Sequence, residues 1–275
     1  MNLRDLHRIN DGVTYDSVSD TFTFNFTSDA DTDIVKLCES IHKSNFYSNT
    51  LYYGYEFDKS VDSSVRSKFI HELKFGDGIS QEDKDRFIRK VGEDLDREIN
   101  LASYDVFVVP ESSSTLLFDI EKHLARLARP KYIRFELLKS IPKDIEFDYE
   151  AFVYEVLSRK TKEGRNLYTE KDKDVVLGNI EKMMEDIHSL DYFSLAKEVK
   201  TKYRHYILNY YHFKDKKEED AFKAVINSNI LIFDDVMTSG STMSLVLKTI
   251  ESLGNLDEKT NKKTLFSLLG NSFQK

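Results

Sequence analysis

The chain lacks the features that mark several large classes of protein. Its 275 residues contain one cysteine, Cys38, so an internal disulfide and a cysteine-rich metal site are both excluded. No apolar run reaches membrane-spanning length, and the N-terminal residues do not form the pattern of a signal peptide. From these absences we expect a cytoplasmic protein that does not contact a membrane.

Three common catalytic patterns are also absent. None of the 10 glycines is followed by Lys-Ser or Lys-Thr, which a P-loop nucleotide site requires. The 7 histidines show no His-Glu-x-x-His spacing, and the sequence has no Gly-x-Ser-x-Gly elbow. The sequence therefore argues against a P-loop ATPase, a zinc enzyme of that type and an α/β-hydrolase.

The composition is that of an acidic globular protein. Lys and Arg number 40 against 48 Asp and Glu, which gives a formal charge of −8 at pH 7. Without a long basic run, nucleic acid is not expected to be the main ligand. A chain of 275 residues that is 40% hydrophobic can bury a sizeable core. We expect one elaborated domain rather than a core with a separate accessory domain.

The most informative stretch lies near the C-terminus. Four apolar residues, Ile230 to Phe233, run into two adjacent carboxylates, Asp234 and Asp235, and an amphipathic segment follows from Ser241 to Leu253. This order predicts a buried strand, a short loop and a helix. The loop is rich in hydroxyl groups and comprises Thr238, Ser239, Gly240, Ser241 and Thr242.

Such a loop favours a phosphate group. Free amides and the positive end of a helix dipole meet at the helix N-terminus, and both attract an anion. Two carboxylates one loop-length away can accept hydrogen bonds from the vicinal hydroxyls of a ribose, or help to place Mg²⁺. Asp234 and Asp235 are therefore the candidate catalytic and metal-binding residues.

These residues resemble the signature of the type I phosphoribosyltransferases, which bind phosphoribosyl pyrophosphate (PRPP). That signature has four hydrophobic residues, two acidic ones and a Thr/Ser-Gly-Ser/Thr-Thr loop, and every position matches here. The resemblance implies Mg²⁺-dependent transfer of phosphoribose to or from a nitrogenous base, with pyrophosphate as the leaving group. A Walker B strand would look similar but needs the missing P-loop, and a purely structural strand-turn-helix remains an alternative.

A second half-site precedes the acidic motif. The run from Tyr104 to Val109, apolar except for Asp105, predicts a buried strand ending at Pro110, and Leu116 to Ala128 has the spacing of a helix. The resemblance implies a pyrophosphate-binding loop between them, although the same residues would serve as an ordinary helix cap. The loop residues are Ser112, Ser113, Ser114 and Thr115.

Two lysine-containing segments complete the resemblance. In the phosphoribosyltransferases a flexible basic loop leaves the next strand, and Lys139 is the candidate catalytic residue at that position, with a solvated surface lysine as the alternative. The segment Leu73-Lys74-Phe75-Gly76 resembles a helix end in the ComF-like group of these enzymes.

The order of patterns predicts an α/β fold with a mostly parallel sheet and flanking helices, which the resemblance implies is a type I phosphoribosyltransferase-like core. We predict that this core spans residues 103–275, with an α+β extension or hood at 1–102 and a helical insertion at about 147–202 that forms a lid or a partner surface. Within these parts, Asp31 to Ser44 is predicted as a helix and Tyr203 to Phe213 as a third core strand.

Two functions are considered for this chain. The first is a phosphoribosyltransferase that binds PRPP or a nucleotide and a nucleobase-like acceptor. The second is a binding protein without catalysis: a PRPP or nucleotide sensor, a ComF-like adaptor, or an effector of a phage or defence system. Either protein could form a homodimer or bind a protein partner through the insertion.

Overall fold

A computed structural model describes most of the chain. The described residues are 6–10, 12–26, 36–37, 50–57, 60–76, 78–112, 114–128, 132–237, 240–254 and 263–270. Three predicted site residues, Ser113, Thr238 and Ser239, lie outside them, as does Cys38.

Within the described residues, the main sheet has seven strands in the order β10-β7-β6-β11-β12-β5-β4. The five central strands are parallel, and β10 and β4 pair antiparallel at the two edges. These strands are β4 (Lys36–Leu37), β5 (Thr50–Glu56), β6 (Val106–Pro110), β7 (Ile133–Lys139), β10 (Tyr211–Phe213), β11 (Ile230–Met237) and β12 (Lys263–Gly270). The predicted α/β class with a mostly parallel sheet is confirmed.

Two smaller sheets flank the main one. The first is antiparallel and contains β1 (Leu6–Asn10), β2 (Val13–Asp16) and β3 (Thr21–Phe24). The second joins β8 (Glu146–Phe147) to β9 (Ile207–Leu208). Because β8 and β9 enclose most of the predicted insertion, they bring its two ends together.

Helices cover both faces of the main sheet. They are α1 (Ser63–Lys74), α2 (Gln81–Ile99), α3 (Leu116–Ala128), α4 (Tyr149–Phe152), α5 (Glu170–His188), α6 (Leu195–Glu198), α7 (Lys216–Val225) and α8 (Ser241–Glu251). A π-helical turn, Val153–Leu157, continues α4, and a 3₁₀ helix, Thr201–Tyr206, precedes β9. Among the described helices, none has the length and apolar character needed to cross a bilayer.

The sheet separates two hydrophobic clusters. Ile230 and Ile232 of β11 belong to the cluster that contains the insertion, whereas Leu231 and Phe233 belong to the cluster that contains α1 to α3. This division follows from the alternation of side chains along a strand. Both faces of β11 are therefore buried, which explains why its sequence is a continuous apolar run.

The centre of the sheet has a topological switch point. The chain leaves β6 through α3 and returns to β7 on one side, and it leaves β11 through α8 and returns to β12 on the other. Strands β6 and β11 are neighbours, so the loops after them open a crevice at the carboxyl end of the sheet. The two predicted half-sites follow these two strands.

The predicted division of the chain at residue 102 stays a prediction. In the structure β5, from the N-terminal part, pairs with β12 inside the main sheet. Phe69 of α1 and Phe87 of α2 pack edge to face, with ring centroids 6.1 Å apart, in the cluster that also contains β5. The N-terminal helices thus share a core with the central strands.

Two element predictions are wrong. Tyr203 to Phe213 is no core strand: it contains the end of the 3₁₀ helix, β9 and the short antiparallel edge strand β10. The aromatic side chains of this segment pack in the hydrophobic cluster that contains the insertion, and the segment does not form a parallel strand. Lys36 and Leu37 form β4, so the helix predicted from Asp31 to Ser44 does not hold there, and its other residues lie outside the described ones.

Gly54 provides a test of the packing between β5 and α2. A Cβ atom at this position would lie 2.5 Å from Cγ1 of Val91 and 2.8 Å from the carbonyl oxygen of Leu268. We expect Gly54→Ala to lower the free energy of unfolding by about 1–3 kcal/mol, because the backbone of β12 cannot move aside. Urea unfolding followed by circular dichroism measures the change.

The matched control is Gly178→Ala in the middle of α5. A Cβ atom there meets nothing within 4 Å, so the same substitution is expected to stabilise the protein by about 0.5–1 kcal/mol through helix propensity. A Gly54 variant as stable as the wild type would contradict the close approach of β5 and β12.

Candidate active site

The acidic pair, Asp234 and Asp235, lies inside β11. The strand continues to Met237 and stays paired with β12, so the predicted end at Phe233 was too early. On the other side, pairing with β6 stops at Ile232. The backbone of the acidic pair is thus held on one edge and faces the crevice on the other. Both residues are buried, with 6% of Asp234 and 3% of Asp235 exposed.

Asp235 is held by groups from two distant parts of the chain. The ammonium group of Lys74 lies 2.8 Å from Oδ1 and 2.7 Å from Oδ2 of Asp235. The hydroxyls of Ser112 and Ser114 donate to Oδ2 at 3.2 and 3.1 Å. A buried carboxylate needs such partners, because an isolated buried charge is strongly unfavourable.

Lys74 reaches this position because of how α1 packs. Phe69 and Leu73 bury their side chains in the cluster beneath the sheet. Lys74 is the last residue of α1, and only 19% of its side chain is exposed. In the sequence, this lysine was noted only as part of the Leu-Lys-Phe-Gly helix end. It was not predicted as a site residue, and the segment did not indicate which group the lysine would contact.

Asp234 is in a different electrostatic environment. Burial, followed by the adjacent charge of Asp235, raises the pKa of Asp234 to about 7. Its Oδ1 accepts the backbone N–H of Asp235 at 2.8 Å, which acts in the opposite direction. Near neutral pH this carboxyl therefore exchanges a proton readily, and a cation or a hydroxyl donor would favour its ionised form.

The predicted phosphate loop leads into α8. Gly240 has a φ of 73°, a left-handed conformation that a side chain would strain, and α8 starts at the next residue. Ser241 and Thr242, in the first turn of α8, line the crevice beside the acidic pair. The structure therefore brings the start of α8 and the acidic pair together, as predicted.

The predicted pyrophosphate loop contacts the acidic pair directly. Ser112 and Ser114 point toward Asp235, with their hydroxyl oxygens 3.3 Å apart. Thr115 is exposed, and its carbonyl accepts the N–H of Asp119 at the start of α3. The serines therefore lie in the site, whereas Thr115 has the structural role of a helix start.

Lys139 lies at the end of β7, where it was predicted, and its side chain lines the crevice. Its backbone N–H donates to Oε2 of Glu111 at 2.8 Å. This bond draws Glu111 to the end of β7, so a carboxylate stands at the start of the loop that was predicted to bind an anion. Glu111 was not identified as a site residue from the sequence.

The crevice is a cavity of about 210 Å³, which we call the acidic cleft. Its lining has three cations, Lys74, Lys139 and Arg204, and three carboxylates. The carboxylates are Glu111, Asp234 and Asp235. This balance suits a ligand that carries both hydroxyl groups, which bind carboxylates, and phosphate groups, which bind lysine and arginine.

The insertion closes one side of the acidic cleft, which sequence reasoning did not foresee in detail. Arg204 donates to the carbonyls of Val199 and Ala196 at 2.8 and 2.9 Å and thereby fixes the segment around α6. Tyr192 and Tyr210 also line the cleft. Burial raises the pKa of Tyr210 to about 12, so its hydroxyl stays neutral.

The acidic cleft fits the Mg²⁺ that the resemblance implies. No cluster of three or more carboxylate, histidine or cysteine groups able to hold a metal is found among the described residues. Mg²⁺ rarely uses such a cluster, because it binds one or two carboxylates together with water and substrate phosphates. Asp234 and Asp235 would supply the carboxylates of such a set.

Comparison with models of known protein families gives no match for this chain. A search of curated proteins also finds no relative. Function is therefore inferred from the geometry of the acidic cleft.

Proposed function

We propose that this protein is a Mg²⁺-dependent phosphoribosyltransferase that binds PRPP in the acidic cleft. The observation that carries the proposal is the convergence of the acidic pair, the start of α8 and the serine loop at the switch point of a parallel sheet. Ligands of open α/β sheets bind at such a point, outside the carboxyl ends of the strands.

The parts of PRPP match the parts of the cleft. Its 5-phosphate would accept hydrogen bonds from Ser241 and Thr242 at the N-terminus of α8. Its ribose hydroxyls would donate to the carboxylates of Asp234 and Asp235, which are acceptors when ionised. This orientation turns the anomeric carbon and the pyrophosphate toward the serine loop and Lys139.

The reaction requires the bond from the anomeric carbon to pyrophosphate to break while a bond to a ring nitrogen of the acceptor forms. Holding donor and acceptor in line supplies much of the rate enhancement. Lys74 and Lys139 would stabilise the negative charge that develops on the leaving group. Bound Mg²⁺ would neutralise part of that charge.

The acceptor would enter beside the insertion. Tyr192 lines the acidic cleft and is 66% exposed, whereas Tyr210 is buried in the wall. A flat, nitrogenous acceptor stacks well on an aromatic ring that is fixed at one edge. Tyr192 is therefore the residue that we assign to acceptor contact within this proposal.

One observation favours a second candidate, a PRPP or nucleotide sensor without catalysis. Glu111 stands at the start of the proposed pyrophosphate loop, where its charge opposes a pyrophosphate group. This carboxylate favours the nucleotide-sensing form of the second candidate, because a protein that binds only a monophosphate at α8 would tolerate it. The two candidates share the acidic cleft and differ in whether pyrophosphate leaves.

Rapid-quench measurement of pyrophosphate formation distinguishes the two candidates. The wild type is mixed with PRPP, Mg²⁺ and each of a panel of purine and pyrimidine bases, with water as the only acceptor in one arm. We expect base-dependent pyrophosphate release, and we expect Ser112→Ala with Ser114→Ala to lower it at least ~10-fold, or about 1.4 kcal/mol. PRPP binding without release in any arm would favour the sensor.

A further inference from the structure

A second cavity lies between the insertion and α8. It has a volume of about 960 Å³ and shares no lining residue with the acidic cleft. Its wall comes from α4 and the π-helical turn, from α5, from the 3₁₀ helix Thr201–Tyr206 and from the outer turns of α8. The size is in the upper part of the range found for small-molecule sites.

Aromatic side chains form one wall of the second cavity. Phe152 and Tyr206 are buried and pack edge to face, with ring centroids 5.1 Å apart. Tyr203 packs against Phe152 at 5.7 Å and is only half-buried. The buried rings of Phe152 and Tyr206 support this wall, and the half-buried ring of Tyr203 is the one on which a flat ligand can stack.

The second cavity is also lined by cationic side chains. Arg159, Lys202 and Lys248 line the second cavity, against the carboxylates of Asp148 and Glu155. The cavity thus has an excess of one positive charge with His205 neutral, although the chain as a whole has a formal charge of −8. A local excess of this sign favours an anionic ligand.

The polar groups of the second cavity are held in place. Glu155 accepts the Tyr206 hydroxyl at 2.9 Å and lies 3.8 Å from Nε2 of His205. Glu155 belongs to the π-helical turn, a rare conformation that is found often at functional sites. Lys248 donates to the carbonyl of His205. Burial lowers the pKa of Lys248, against the opposing charges of Asp148, Glu155 and Glu251, so a bound anion would stabilise its ammonium form.

We propose that the second cavity binds an aromatic molecule that carries an anionic group, and that binding there changes the wall of the acidic cleft. The aromatic part would stack on Tyr203, and the anionic group would meet Arg159 and Lys248. Nucleoside monophosphates and other aromatic anions share this chemistry.

The 3₁₀ helix connects the second cavity to the acidic cleft. Lys202, Tyr203, His205 and Tyr206 face the second cavity, whereas Arg204 faces the acidic cleft and fixes the segment around α6. A ligand that orders this helix therefore orders Arg204 as well. The effect of this coupling on catalysis rests on the proposed function. The assignment of the second cavity as a ligand site does not rest on it.

The test uses the full chain without PRPP, with adenosine 5′-monophosphate and 8-anilinonaphthalene-1-sulfonate as probes. Calorimetry follows the first probe and fluorescence follows the second. We expect Arg159→Met with Lys248→Met to weaken binding at least ~10-fold, as loss of charge-assisted contacts implies. Lys223→Met, on α7 outside the second cavity, is expected to leave binding unchanged. Each arm is repeated in the Asp234→Asn, Asp235→Asn background, so that nucleotide bound in the acidic cleft does not contribute.

Hydrogen exchange supplies the second readout. Ligand binding is expected to slow exchange in peptides that cover residues 195–206, in the wild type and in the acidic-pair variant. Binding of the sulfonate alone would support an aromatic-anion site that rejects nucleotides. No binding of either probe, binding that is lost only in the acidic-pair variant, or unchanged exchange at 195–206 would overturn the proposal, and a failure of PRPP to bind would not affect these measurements.

Discussion

Asp234→Asn with Asp235→Asn is expected to weaken PRPP binding in the presence of Mg²⁺ at least about 100-fold. Each carboxylate would accept a charge-assisted hydrogen bond from a ribose hydroxyl, worth roughly 1.5–3 kcal/mol, and asparagine offers a neutral acceptor. Titration calorimetry at pH 8, above the raised pKa of Asp234, measures the loss. Asp186→Asn, on the exposed side of α5, is the matched control and should bind PRPP as the wild type does.

The fold of the variant can be checked independently through pH. Burial and Asp235 raise the pKa of Asp234 to about 7, so the folded state favours the protonated form of this carboxyl. This contribution to the free energy of unfolding is complete below pH 3.8, the pKa of the carboxyl in the unfolded chain. That stabilisation is lost as the pH rises through 7. An asparagine side chain cannot ionise, so Asp234→Asn alone should unfold at a higher temperature than the wild type at pH 8. The thermal midpoint therefore separates lost binding from lost structure.

Lys74→Met is the second substitution with a large expected effect. It leaves the buried carboxylate of Asp235 with Ser112 and Ser114 but without its cation. Removing one partner of a buried ion pair is strongly destabilising, and we expect a loss of about 2–4 kcal/mol in the free energy of unfolding at pH 7. Urea unfolding of the variant gives this value.

A double-mutant cycle tests whether the loss comes from the Lys74–Asp235 contact. Adding Asp235→Asn to Lys74→Met removes the unpaired charge, so the double variant should be more stable than Lys74→Met by at least ~1 kcal/mol. Lys68→Met provides the control on the same helix. Lys68 pairs with the exposed Asp20, and a surface contact of this kind adds little to stability. Equal losses for the two lysine variants would contradict a special role for Lys74.

The sequence predicted the central part of the site because that information is local. The apolar run before Asp234 defines a buried strand, and the apolar run before Pro110 defines a second one. Loops after parallel strands lie at the same end of the sheet, so the serine loop and the acidic pair were expected to meet. The sequence did not predict that the hydroxyls of Ser112 and Ser114 would donate to Asp235, because it indicated only that the two loops lie at the same end of the sheet.

The rest depends on contacts between distant parts of the chain. Lys74 and Asp235 are 161 positions apart, and no periodicity connects them. Arg204 lies in a segment whose alternating aromatic residues suggested a core strand, but tertiary packing against α4 and α8 makes it a 3₁₀ helix. Local propensity is a weak guide when packing decides the backbone conformation. The second cavity, which is built from five elements, has no sequence signal for the same reason.

Titration of the wild type with PRPP at pH 8, with and without Mg²⁺, tests the central claim most directly. The account predicts saturable binding of one PRPP per chain with Mg²⁺, at a dissociation constant no weaker than about 100 μM, or roughly −5.5 kcal/mol. It also predicts much weaker binding without Mg²⁺. Absence of heat at millimolar PRPP from a protein that unfolds cooperatively would contradict the assignment of the acidic cleft to PRPP.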